Sequence, residues 1–63
     1  MKRSEVKKEL KKMIEIERKI IDVLASGEGT EKEQNYACSK LFEVAQYIVT
    51  LKDYLEATKN NED

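Results

Sequence analysis

Histidine, proline and tryptophan are absent from this 63-residue sequence, and it holds one cysteine, one phenylalanine and two glycines. Each shortage excludes something. Without histidine the commonest general base and zinc ligand are missing. One thiol, Cys38, cannot close a disulfide within the chain. No glycine-rich loop follows a strand to cradle a phosphate, and Cys38 has no evident base to activate it. The sequence therefore predicts no catalytic centre, no metal and no cofactor, and Cys38 is expected to be a small core residue.

Long apolar runs are also missing; none approaches the roughly 20 residues of a membrane span. The basic start, Met1-Lys2-Arg3, leads into Ser4-Glu5-Val6-Lys7-Lys8-Glu9, which is not the apolar stretch of a secretion signal. A soluble, cytoplasmic protein with a reduced thiol is expected.

What is present is charge. Charged residues make up 40% of the chain, 12 basic against 13 acidic, for a net charge of −1. Lysine, glutamate and isoleucine favour helix. A chain this short forms one domain at most and buries too little surface to be more than marginally stable. Small folds usually rely on disulfides, a metal or a partner subunit. With the first two excluded, oligomerisation remains.

The only internal punctuation is Ala25-Ser26-Gly27-Glu28-Gly29-Thr30. Gly27 suits the left-handed position that ends a helix. Thr30-Glu31-Lys32-Glu33 has the form of a capping box, with hydroxyl and carboxylate each bonding the other residue's N–H. Ser4 is placed to cap the first helix. Helix 1 is predicted over about 4–26, the turn over 26–30 and helix 2 over about 30–59, with a frayed tail at 60–63. So short a turn makes the helices antiparallel neighbours. The fold class is all-α, an antiparallel helical hairpin.

Helix 1 gathers Val6, Leu10, Met13, Ile14, Ile16, Ile20, Ile21, Val23 and Leu24 on one half. In helix 2, Ala37, Leu41, Val44, Ile48, Leu51 and Leu55 alternate by four and three, the spacing of a bundle seam. Cys38, Phe42, Ala45 and Val49 flank that seam on one side; Tyr36, Tyr47 and Tyr54 flank it on the other. This apolar arc spans roughly 240°, whereas an ordinary surface helix needs a stripe only a little over 100° wide. One partner helix cannot cover it. The sequence thus predicts a homodimer forming a four-helix bundle, with Leu41, Phe42, Val44, Ala45, Ile48 and Val49 at the contact. The tyrosine flank is left for another protein.

Two sets of charges stand out. Glu17 falls among Met13, Ile14, Ile16, Ile20 and Ile21, where a dry carboxylate would be costly. Either Lys40 pairs with it, making a group that specifies how two copies fit, or the carboxylate reaches water past Ala37. The outer face of helix 1 is mostly basic, with six basic and two acidic groups in residues 1–12. Carboxylates at the end of helix 2, Asp53, Glu56, Glu62 and Asp63, are expected to neutralise it.

Glu33-Gln34, Cys38, Leu41, Ala45 and Ile48 follow one side of helix 2 at four-three spacing. Over these 16 or so residues the chain resembles the second helix of the Rop-type RNA-binding helical hairpin, which dimerises into a four-helix bundle. Length and the single central turn are also similar, although the turn here is longer. The resemblance implies RNA binding through the outer face of helix 1, where Lys8, Lys12 and Lys19 stand. Rop-type hairpins use an aromatic residue on that face, and helix 1 here has none. The functional expectation is a small non-enzymatic regulatory protein that dimerises and binds another protein; nucleic-acid binding is the alternative.

Overall fold

In the computed structural model, which describes residues 2–60, the chain forms two antiparallel helices, α1 (Arg3–Ser26) and α2 (Glu31–Ala57). They pack against each other as a hairpin 46 Å long and about one helix thick in the third direction, at 15 × 14 Å. Among the described residues there is no strand, and no helix is long and apolar enough to cross a membrane.

The turn obeys local chemistry. Gly27 ends α1 with φ 69°, and its N–H bonds the Leu24 carbonyl at 3.3 Å. A side chain here would force a β-carbon into the left-handed region. Thr30 caps α2: its hydroxyl accepts from the Glu33 N–H at 3.2 Å, and Glu33 Oε1 accepts from the Thr30 N–H at 3.0 Å. The Gln34 amide bonds the Glu28 carbonyl across the turn.

These bonds favour the charged carboxylate. The Thr30 backbone N–H, then its hydroxyl, hold the Glu33 carboxyl below the usual glutamate range. A lowered folded-state pKa contributes stability above the unfolded value and loses it as pH falls through the folded one. Acidification from pH 5 towards 3 is therefore expected to weaken the turn. Thr30→Ala should remove about 1 kcal/mol at neutral pH, the ordinary worth of such a cap, and in urea titrations should weaken this pH dependence only in part, because residue 30 keeps the backbone N–H that bonds the Glu33 carboxylate.

The start of α1 departs from the sequence expectation. Lys2, not Ser4, occupies the cap position, and it contributes no side-chain bond. Its carbonyl accepts from the N–H groups of Glu5 and Val6, both at 3.1 Å, so Ser4 lies inside the first turn. The cause is tertiary. Arg3 Nη1 donates to the Leu55 carbonyl at 2.6 Å and to Thr58 Oγ1 at 2.7 Å. Thr58 Oγ1 in turn donates to the Tyr54 carbonyl at 2.7 Å. The last carbonyls of a helix lack intrahelical donors and carry partial negative charge. α2 has no basic residue in its last turn; Arg3 supplies the cation from the other helix. This clasp stands where carboxylates were expected to answer the basic start. Glu56 instead pairs with Lys59 at 3.2 Å; Glu62, Asp63 and the last part of the expected frayed tail lie outside the described residues. α2 gives way after Ala57 to a turn through Asn60.

The core is thin. Val6 is 1% exposed, and Ile48 and Leu51 are each 5% exposed. Leu10, Met13, Ile20 and Leu24 of α1 and Ala37, Leu41, Val44 and Leu55 of α2 are half-buried along the same seam. Two helices alone enclose little more than a line of side chains.

Candidate interaction faces

Each helix has two sides that its neighbour cannot cover. At about 100° per residue, Leu10, Ile14 and Ile21 fall within an arc of about 40° on one side of the α1 seam. Ile16 and Val23 fall on the other. On α2, Cys38, Phe42, Ala45 and Val49 share an arc of about 60°, and the three tyrosines share one of about 20°. Val23, Lys32, Glu33, Tyr36 and Ala37 line one shallow depression, which fixes how the sides correspond. The tyrosines lie beside Ile16 and Val23. Phe42 and its neighbours lie beside Leu10, Ile14 and Ile21.

Both sides are open. Phe42 and Tyr36 are each 67% exposed and Val49 is 52% exposed; Ile21, Val23, Tyr47 and Tyr54 are also exposed. Cys38 is exposed as well, so within the hairpin it is not a core residue. Its direction places it on the Phe42 side, which α1 does not reach. Lys7, Leu10, Lys11, Ile14, Glu15 and Arg18 line a groove along α1, so apolar surface shows between charged rims there too.

Of the six residues expected at the dimer contact, Phe42, Ala45 and Val49 share this open face. Leu41, Val44 and Ile48 are engaged in the seam with α1, Ile48 most completely. Lys8, Lys12 and Lys19 are exposed and lie on the outer side of α1, towards the tyrosines. Leu10, Ile14 and Ile21 of α1 are the residues that sequence reasoning left off the open face; their common phase, at spacings of four and seven, is the signal that marks them.

Glu17 is half-buried. Its expected pairing with Lys40 is not found, because Lys40 points to the tyrosine side and bonds Glu43 at 3.4 Å. Among the described residues no polar side-chain atom is buried without a partner, so the Glu17 carboxylate reaches solvent at the edge of the seam. Arg3 contacts Leu55, and Val23 stands beside Tyr36; between these anchors Glu17 comes level with Phe42, Ile14 with Ala45 and Leu10 with Val49. No three metal-ligating side chains converge among the described residues.

Compared with known protein families, with curated proteins and with solved structures, the chain matches none.

Proposed function

We propose that this protein is a non-enzymatic interaction module that acts as a homodimeric four-helix bundle, with the Phe42 face as its self-contact and the tyrosine flank as its docking face for another protein. The observation that carries the reading is the exposure of Phe42, Val49 and Ile21 on one side of a chain otherwise dense in charge. A contiguous apolar face of this kind marks an association site. A second copy is the natural cover, since two-fold dimers close symmetrically. Tyrosines are enriched at interfaces because each offers a large apolar body with a polar tip, and they remain outside when the opposite face is covered.

Sedimentation equilibrium of the wild-type protein at tens of micromolar is expected to return twice the chain mass. A monomer at that concentration would overturn the reading. A second reading, binding of RNA, draws on the placement of Lys12 and Lys19 towards the tyrosine side. It requires an affinity that falls steeply with added salt.

A further inference from the structure

We infer that the tyrosine flank takes an acidic amphipathic helix of another protein, seated over its turn-side half between Tyr47 and Tyr36. The inference rests on the docking role proposed above and adds the partner's chemistry and its place on the face.

The floor fixes the shape of the occupant. The contacts that set Val23 beside Tyr36 and Arg3 beside Leu55 also bring Lys12 level with Tyr47. Ile16 and Val23 of α1 and Tyr36 and Tyr47 of α2 therefore form one apolar strip. Val23, Tyr36 and Tyr47 are exposed, so the strip opens towards the turn, where it ends in the shallow depression at Tyr36. A third helix laid along two antiparallel ones covers such a groove in helical bundles. An extended segment would rest its N–H and C=O groups on apolar surface, with no strand edge among the described residues to pair them. A helix satisfies its own.

The edges fix the sign. Lys12 and Lys19 stand on the α1 edge of this half, and Lys32 and Lys40 on α2, all exposed. The carboxylates nearby are engaged: Glu43 pairs with Lys40, and Glu33 accepts from the Thr30 N–H. Among the described residues Lys12, Lys19 and Lys32 form no ion pair. The other half of the face has the reverse balance, with Glu5 level with Tyr54 and Glu9 a turn away, and only Lys8 at its outer edge. A uniform polyanion lying along the face would run onto Glu9 and Glu5. A peptide can place its carboxylates only where the lysines stand.

The spacing suits a helix as well. Lys12 and Lys19 are about 10 Å apart along α1, and Lys32, level with Gly27, lies about 12 Å beyond Lys19. Each interval is about two helical turns. Acidic residues recurring every seven or eight positions on a partner helix stay in phase with them, as coiled-coil flanks do. The lysines then set orientation and encounter rate, while the apolar strip supplies the hold.

Fluorescence anisotropy with three labelled probes tests this. One is a synthetic helix of about three heptads with leucine at the core positions and glutamate beside them. The second has lysine for every glutamate, and the third is oligouridine. The glutamate helix alone is expected to bind, more weakly as salt is added. Lys19→Glu, Lys32→Glu and Tyr36→Ser should each weaken it several-fold. Lys7→Glu, in the groove on the other side of α1, should leave it unchanged. Circular dichroism and sedimentation of each variant report fold and dimer separately. Binding lost in Lys7→Glu but kept in the Lys19→Glu, Lys32→Glu double variant would overturn the site. Tighter binding of the lysine helix or of oligouridine would overturn the partner's chemistry; if the lysine helix binds and weakens with Tyr36→Ser, the docking role stands without it. No binding of any probe would overturn the inference whether or not the protein dimerises. A monomer that binds the glutamate helix as expected would overturn the dimer and uphold the inference.

Discussion

Phe42→Lys is expected to convert the protein to a monomeric hairpin that keeps its helical circular dichroism. Two thirds of Phe42 is exposed in the isolated hairpin, so the intrachain fold depends on it little. In a two-fold dimer the residue is buried twice. Full burial of such a side chain is worth about 1.5–3 kcal/mol, so covering the exposed part in both copies contributes roughly 2–4 kcal/mol, about thirtyfold to a thousandfold in the dimer dissociation constant. A lysine also places an ammonium where nothing opposes it, which adds a desolvation cost. Sedimentation across a hundredfold range of concentration checks the result. An unchanged dimer would move the self-contact to another face, the tyrosine flank first. Tyr36→Lys, equally exposed, is the matched control and is expected to leave the dimer intact.

Ile48→Ala is expected to have the largest effect on folding. Ile48 is 5% exposed and sits mid-seam, where α1 and α2 have few other residues to close over a void. Such truncations cost about 2–5 kcal/mol, the more so when the surroundings cannot relax into the cavity. A domain of this length has only about 3–9 kcal/mol in total at the usual stability per residue. Much of the protein should therefore be unfolded near 37 °C, seen as a midpoint shifted far down in thermal or urea denaturation. The comparison must hold concentration fixed, because association stabilises the folded state by mass action. Near-native stability at low concentration would mean that the seam is supported elsewhere.

The contrast between these residues shows what a sequence of this type discloses. The turn was legible because its chemistry is local: Gly27, Thr30 and Glu33 act on backbone groups at most three residues away. The division of α2 into one seam and two flanks was also legible, since rotation along a helix follows from counting. Relations between the helices were harder to read. Counting from the turn put Glu17 at nearly the right height on α2 but on the wrong side for Lys40, because two antiparallel helices turn in opposite senses when viewed from one end. Cys38 looked like core by its small size, yet it is exposed in the hairpin, on the side of α2 turned away from α1. Ser4 looked like a cap by its residue type, but the first helix begins where Arg3 grips the far end of the second, and no local pattern announces a contact across 52 or 55 positions.

That grip also bears on the order of folding. Bonds at the turn join residues three to six apart, and short separations close first and fastest. A hairpin that zips up from its turn reaches Arg3, Leu55 and Thr58 last, and these contacts are expected to form after the rate-limiting step. Contacts made that late slow unfolding and leave the folding rate nearly unchanged. The lifetime of the closed hairpin is thus governed at the end farthest from the residues that start it.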